Sequence, residues 1–515
     1  MMRLEGLYVS FAKEISVEAN ICLHALCNAL LNNLIAGITD LIPGYINLYV
    51  EFDAAVVNRS SVRAWIRKHL EHIEVTTSER EVIVPTRYDG EDLAWVAEQT
   101  NLSVEEIIKR HSQRSYRVYM VGFAPGQPLM GTLDDTLYLP RRSTPRKKVH
   151  ANAVAIAVSQ TTIYSLPTPG GWHLLGTALR DTYNPHREEP FLFSPGDNVR
   201  FVPSEGEAPK ELEPLELLPG EPSLPIFRVE EAGLLDLVLD AGRFFGARFG
   251  LARSGWLDAR SARLANAVIG NKANESLLEL TLKGPVLTAL RDVVIGFAGF
   301  GMTCLIDEEE IPVATSIAVR KGQRLSFRSG SSGARAYLSV AGGFEVKPFM
   351  GSCSVDVKGF IGRALQAGDV LGLARVQKVR PGFNLRFPIL PERIRVRLLA
   401  GPQVTREALE ALCTGEFTVT SLDRMGLRLE GASVPGGELS SEATPLGAVQ
   451  ITTQGNPIIL LHDRGGIGGY AKPAVVHPSD VWLLAQLRSG QKLSFTKPST
   501  LETHHWFMNA DLGTS

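Results

Sequence analysis

The sequence predicts a mainly β protein that begins with a small α+β domain. Three observations carry this. Helical periodicity is concentrated before His111, and from about Tyr116 the chain breaks into short β-like runs punctuated by glycine and proline, of which the 515 residues include 48 and 30. The pattern Gly-Asp/Gln-x-apolar-x-apolar then recurs at Gly196–Phe201, Gly322–Phe327, Gly368–Leu373 and Gly490–Phe495. Each copy reads as a tight turn feeding an alternating strand, which points either to related β modules used more than once or to generic hairpins.

Taken in order, residues 1–88 mix a helix with strands. Leu23, Leu26, Leu30 and Leu34 recur at helical spacing. Tyr45 to Phe52 alternates, with Ile46, Leu48, Val50 and Phe52 on one face of a half-buried strand. Glu91 to His111 reads as helical, and Ser103-Val-Glu-Glu106 is a capping-box start for its second half. A β-rich unit follows over 89–205. The acidic, proline-rich and aperiodic segment 206–226 reads as the linker. Beyond it lie two further units, 227–390 and 391–503, and a tail, 504–515. Within the first of these, Ser261 to Ile269 forms a helix burying Leu264, Ala265 and Val268.

Composition narrows the function classes. With 53 basic and 55 acidic residues the net charge is -2, too little field for a general nucleic-acid or membrane-surface binder. The stretch from Ile21 to Ile38 is interrupted by His24, Asn28, Asn32 and Asn33, so neither a signal peptide nor a membrane span is expected. The five cysteines form no CxxC pair and fit reduced thiols in a cytoplasm. No Walker A, HExxH, kinase or GxGxxG pattern occurs. His504 and His505 fall in a tail expected to fray, and Cys353 reads as a buried thiol.

Three stretches carry candidate chemistry. In 121–176, prolines and glycines fix loops around Phe123, Tyr164 and Trp172, and Arg141, Arg142 and Arg146 offer forked donors to a carboxylate or phosphate. In 239–284, Asp240, Arg243, Asp258 and Glu279 are charges among glycines and apolar residues, so pairing is expected wherever they are buried. In 421–472, Asp423-Arg424, Gln450, Asp463-Arg464, Tyr470 and Lys472 sit where short apolar strands meet glycine turns, a common setting for small-molecule sites.

Together these stretches resemble a known family. Gly122-Phe-Ala-Pro-Gly126, Pro140-Arg141 with Pro145-Arg146, Gln160-Thr161 with Ile163-Tyr164, and Pro169-Gly-Gly-Trp172 resemble the B-type component of bacterial 5-oxoprolinase, also called allophanate hydrolase subunit 1 and related to the Kip-type inhibitor of a histidine kinase. Asp240 to Pro285, Gly333 to Tyr337, Asp423 to Gly426, Gly447 to Gln450 and Gly468-Gly-Tyr470 resemble the C-type component, or allophanate hydrolase subunit 2, of the biotin-dependent carboxyltransferase (urea amidolyase-related) family. The resemblance implies a B–C fusion with cyclophilin-like β-barrels, one in the first half and two lobes in the second. It implies ATP-dependent opening of 5-oxo-L-proline, or a related cyclic amide, to glutamate together with a separate A-type 5-oxoprolinase component, ATP acting with magnesium.

Under that resemblance Asp463 is the candidate for proton transfer, and Gln450 and Tyr470 orient the lactam. Arg146 and Arg464 hold a carboxylate or phosphate. Phe123, Gly126, Arg141, Gln160, Tyr164, Trp172, Asp240, Arg243, Asp258, Arg424 and Lys472 complete the expected substrate or nucleotide surface. Two other readings stand beside it: biotin-dependent carboxyl transfer to a urea-like amide, with the biotin carrier on another polypeptide, and a non-catalytic Kip-type regulator. A homo-oligomer is compatible with each. Relatives usually read DRQTTGGYPK where this chain has Asp463 to Lys472 as DRGGIGGYAK, GSRST where it has Gly351 to Val355 as GSCSV, and GFPYL where it has Gly126 to Met130 as GQPLM.

Overall fold

The computed structural model describes residues 3–73, 80–497 and 505–510. The N-terminal unit is a four-stranded sheet in the order Ile38–Pro43, Asn47–Asp53, Leu4–Ser10, His505–Asn509. Helices Val17–Asn32 and Arg59–Leu70 pack Leu23, Leu26, Leu30, Val62 and Ile66 with Leu7, Val9, Leu48 and Val50. Ser16 and Asn58 cap them, accepting from the amides of Ala19 and Ser61. The first helix ends at Asn32, so Leu34 lies beyond the stripe and is exposed. The predicted alternation of Asn47–Asp53 holds, but both faces are buried: Leu48, Val50 and Phe52 meet the helices, and Tyr49 and Glu51 point to the other domains.

One expectation is refined here and one corrected. Glu91 to His111 is helical as expected, in two helices, Leu93–Thr100 and Val104–Ser112, because Asn101 adopts a left-handed φ of 54°. Ser103 caps the second as its sequence implies, accepting from the amide of Glu106. The expected frayed tail is a strand over His505–Asn509, parallel to Leu4–Ser10 with Gly6 opposite His505 and Ser10 opposite Asn509. The edge of the N-terminal sheet offers backbone groups that this strand satisfies. Met508 is buried in the N-terminal core, and His504 lies outside the described residues.

The first half closes into a seven-stranded barrel, and its first strand, Glu81–Arg87, lies on the N-terminal side of the boundary expected at residue 88. The last unit closes into a second barrel, with one further strand, Glu438–Ala443, paired to its wall. Both close through the same strand order. In each, the first strand (Glu81–Arg87; Ile394–Ala400) runs parallel to the last (Asn198–Pro203; Lys492–Thr496). Those last strands are two of the four repeat copies. All four repeat glycines, Gly196, Gly322, Gly368 and Gly490, have φ between 84° and 96°, a conformation that costs glycine nothing and launches the strand two residues later.

The middle lobe carries its strands as two sheets, of six and five strands, around a core that includes Phe227, Leu278, Ile295, Phe297, Leu338 and Leu371. Helix Ala259–Ala267 packs on the five-stranded sheet and buries Ala262 and Ala265. The segment expected as a linker is non-helical but tied down: Leu217 is buried and Leu215 bridges Ile361, and regular strand resumes at Pro225. Among the described residues no helix is long and apolar enough to cross a membrane.

Candidate functional site between the two halves

Residues 462–472 run along the contact between the last barrel and the other units. At their start lies a small cavity. Tyr49 and Glu51 of the N-terminal sheet line it, facing Arg253, Trp256 and Leu257 of the middle lobe and His462 and Trp482 of the last barrel. Gly255 lets the 239–258 loops cross closely. It takes a φ of 81°, and a Cβ there would stand 2.8 Å from the amide nitrogen of Gly242.

The cavity joins apolar walls to unpartnered donors. Arg253 donates through Nη2 to Glu51, while its Nε and Nη1 find no acceptor. Trp256 Nε1, Arg263 Nε and His462 Nδ1 are likewise buried without a hydrogen-bond partner. The arginines are held flat by aromatic rings, Arg253 over Phe244 at 4.9 Å and Arg263 over Trp256 at 6.0 Å. Burial works against ionised Glu51, but Arg253 and Arg464, with a hydrogen bond from Thr39 Oγ1 at 2.8 Å, outweigh it and hold the carboxyl below its ordinary range. Burial pushes nearby Asp40 up to about 7, against the pull of Arg253. His462 is driven well down by burial and by Arg424, Arg464, Arg253 and Arg335, so its imidazole is neutral. Buried donors left unpaired are costly, and these atoms sit just behind the walls of the cavity.

Behind His462 lies a charged cluster with little access to solvent. Asp463 accepts two hydrogen bonds from Arg424, Nε to Oδ2 at 2.9 Å and Nη2 to Oδ1 at 3.1 Å. Arg424 also donates to Glu279 and, at 2.6 Å, to the carbonyl of Gly255. Glu279 further accepts from Tyr337 at 2.7 Å and from the amide of Leu257 at 3.0 Å, with Arg335 3.7 Å away. Burial, opposed by Arg424 and reinforced by Asp356, raises Asp463 to about 6. Asp463 does not line the cavity; His462 beside it does.

The other nominated residues are dispersed. Arg464 is buried, donating to the carbonyl of Thr444 at 2.6 Å, with Nη2 3.8 Å from Glu51. Gln450 is buried with Nε2 unpartnered, next to Gly468 rather than in the cavity. Tyr470 lines a separate groove with Thr420 and Arg428 on the last barrel. Lys472 is fully buried and pairs with Glu442 at 2.9 Å. Asp240 accepts from Ser352 and Ser354 hydroxyls at 2.6 and 2.7 Å and from the Cys353 amide at 2.7 Å, which pins the 351–355 loop. Arg243 crosses the same loop, donating to the carbonyls of Phe349 and Ser354. Asp258 caps helix Ala259–Ala267 and accepts from Gln486 at 2.8 Å.

In the first half, Arg146 donates from Nη2 to both carboxylate oxygens of Asp92 at 2.7 and 2.9 Å, and its Nε meets Glu91 at 2.7 Å, so two of its guanidinium nitrogens are already engaged. Gln160 accepts from Tyr45 at 2.7 Å. Tyr164 and Trp172 pack together in the core beneath the N-terminal sheet, and Arg141 is exposed. Phe123 is exposed with a φ of 63°, and Gly126 donates to the carbonyl of Phe249 at 2.8 Å. None of these groups lines the cavity.

The matches to known proteins follow the same division. Residues 2–193 match the family described as carboxyltransferase domain, subdomain C and D, and residues 249–497 match carboxyltransferase domain, subdomain A and B. The second half is 32% identical over 288 residues to the C subunit of 5-oxoprolinase from Escherichia coli (strain K12), covering 54% of this chain and 93% of that protein. The first half is 34% identical over 212 residues to the B subunit of 5-oxoprolinase from Bacillus subtilis (strain 168), covering 38% and 88%. The chain belongs to the carboxyltransferase-domain family, as a fusion of B-type and C-type halves. The crystal structure of TTHA0988 is similar along nearly the whole length, with 51% identity and a TM-score of 0.93 over 96% of this chain and 100% of that one.

In this carboxyltransferase-domain fusion, two of the stretches nominated from sequence reach the cavity, but none of the individual residues nominated in them lines it. His462 is within the motif, and Arg253 and Trp256 are within the second stretch, yet none stands out by spacing. Glu51 is hidden in an alternating strand whose polar face reads as solvent-facing. The available signal is the pair of polar residues flanking Val50, a carboxylate among them, in a strand otherwise destined for a core.

Proposed function

We propose that the chain is the fused B–C component of a 5-oxoprolinase-type assembly that opens 5-oxo-L-proline, or a related cyclic amide, to glutamate with a separate A-type component. The observation that carries this reading is the cavity between the halves, where Trp256 and Trp482 give flat apolar walls and Arg253, Trp256 and His462 present unpaired polar atoms. A lactam is a small planar ring with one carbonyl and one N–H. Its carbonyl oxygen would accept from Arg253 or Trp256, and its N–H would donate to neutral His462. Opening breaks the C–N bond, places a water oxygen on the carbonyl carbon and returns a proton to nitrogen. Donors aimed at the carbonyl oxygen stabilise the charge that develops there, and Asp463, raised to about 6 behind His462, would serve as a proton reservoir.

The cavity does not fit a nucleotide. Its walls are largely apolar, and Glu51 beside Arg253 would repel a triphosphate. In this reading ATP chemistry belongs to the A-type component. The test is reconstitution of the full chain with an A-type 5-oxoprolinase protein, following glutamate and phosphate released on adding 5-oxoproline. Arg253→Met and Trp256→Phe should each lower turnover by at least tenfold. No 5-oxoproline-dependent release would overturn the proposal.

The matched family description, a carboxyltransferase domain, favours one second reading: biotin-dependent carboxyl transfer to a urea-like amide held by the same donors. Carboxylation of urea by the chain plus a carboxylated biotin carrier, without 5-oxoproline turnover, would select it.

A further inference from the structure

A second, roomier cleft opens between helix Val17–Asn32, the 194–197 turn of the first barrel and the segment carrying Arg248. It shares no lining residue with the cavity described above. Two guanidinium groups face it. Arg117, only 8% exposed, donates through Nε to Asn20 Oδ1 at 2.9 Å and through Nη1 to the carbonyl of Gly196 at 3.2 Å. Its Nη2 is left without an acceptor among the described residues. Arg248 stacks on the ring of Phe249 at 4.5 Å and, among the described residues, meets no carboxylate within ion-pair distance.

The one carboxylate in the lining, Asp197, is already engaged by Arg80 at 3.2 Å and by the amide of Ser194 at 2.8 Å. His24 adds no charge. Its Nε2 donates to the carbonyl of Tyr119 at 2.9 Å, and burial together with Arg117 depresses its pKa to about 3. Two cations therefore confront a single carboxylate that is itself paired, in a space lined otherwise by neutral residues. A guanidinium held in place by neutral acceptors, with a free N–H edge, is arranged for an oxyanion.

We propose that this cleft binds a small oxyanion, the phosphate or carboxylate group of a diffusible ligand, between Arg117 and Arg248. It is a second site, and it does not depend on the reaction proposed for the cavity.

The full chain, without any partner, is titrated calorimetrically at low ionic strength with inorganic phosphate and, separately, with glutamate, using chloride as the reference anion. Saturable binding of phosphate, of glutamate or of both supports the site, and the stronger of the two names the source. Arg248→Ala removes one cation. Asn28→Asp places a negative charge on the exposed rim without disturbing the core. Each should weaken binding at least tenfold, while Arg395→Ala, on the surface of the last barrel, should leave it unchanged. No saturable binding, or equal loss in Arg248→Ala and Arg395→Ala, would overturn the proposal. Because the readout is binding to the isolated chain, an inactive lactam assay leaves this result intact, and the converse also holds.

Discussion

Replacing Arg424 by methionine strips the counter-charge from two buried carboxylates at once. Arg424 binds Asp463 through two hydrogen bonds of 2.9 and 3.1 Å and donates to Glu279 as well. Asp463 has no other salt-bridge partner among the described residues, whereas Glu279 keeps Tyr337 and the more distant Arg335. Breaking a buried pair from one side costs about 3–5 kcal/mol. The sign of the pH dependence follows from Asp463. Its carboxyl is already raised to about 6 with Arg424 present, and without that guanidinium it rises further. The folded variant then retains a proton that the unfolded chain releases near pH 4, so its stability falls with rising pH by at most about 1.4 kcal/mol per unit. In the parent protein this fall ends near pH 6, so the gap between the two proteins should widen from pH 6 to pH 8. Urea unfolding followed by tryptophan fluorescence at pH 5 and pH 8 measures it, and Asp463→Asn in the Arg424→Met background should recover part of the loss at pH 8. A cost below about 1 kcal/mol at pH 8, or one that is the same at both pH values, would refute the assignment of Arg424 as the charge that holds this cluster.

Gly122→Ala would drive a Cβ into the space that Ile467 Cδ1 occupies. Hydrogen exchange should therefore accelerate across Ile467–Val476, and the double variant with Ile467→Ala should restore protection. Glu442→Gln leaves the fully buried ammonium of Lys472 without its counter-charge and should cost about 3 kcal/mol in urea unfolding, with Lys472→Met in the same chain recovering most of it. Asp92→Asn loosens the forked contacts from Arg146 and the contact from Arg142, and weakens the hydrogen bond from the Leu174 amide at 2.7 Å. A loss of about 2 kcal/mol is expected, read as a lower urea midpoint for the first barrel, without a change in phosphate affinity at the Arg117 cleft.

The fold is legible where local chemistry decides it. Glycines at Gly196, Gly322, Gly368 and Gly490 announce strands because their positive φ is a local requirement. The caps at Ser16 and Ser103 are equally local. Closure of the barrels is not legible, because the parallel pairing of Glu81–Arg87 with Asn198–Pro203 joins segments more than a hundred residues apart. The same limit applies to the site. Arg146 attracts attention for its fork, but Asp92 and Glu91, fifty-odd residues earlier, use that fork to brace the barrel. Asp463 and Arg424 both stand out and do meet, because each sits at the end of a barrel strand, but nothing in their spacing says that they neutralise one another. Arg253, Trp256 and Glu51 become a cavity only when three domains are placed together.

That placement also changes the meaning of the altered positions in DRGGIGGYAK. Ile467 packs on Gly122, Gly466 lies against Ala247, and the carbonyl of Gly465 accepts from Thr444. Cys353 contributes its amide to Asp240, and Gln127 is buried in the first barrel. None of the five, Gln127, Cys353, Gly465, Gly466 or Ile467, lines the cavity between the halves. The departures from the usual pattern at 465–467 therefore fall on the joint between the B-type and C-type halves, where a covalent link and the strand His505–Asn509 on the first half's own sheet already hold the two together. In a fused chain the joint forms without the entropy cost of bringing two polypeptides together, which relaxes the demand on the residues that line it. Glu51, Arg253, Trp256 and His462 line the cavity apart from this joint, so variation at 465–467 leaves that lining in place.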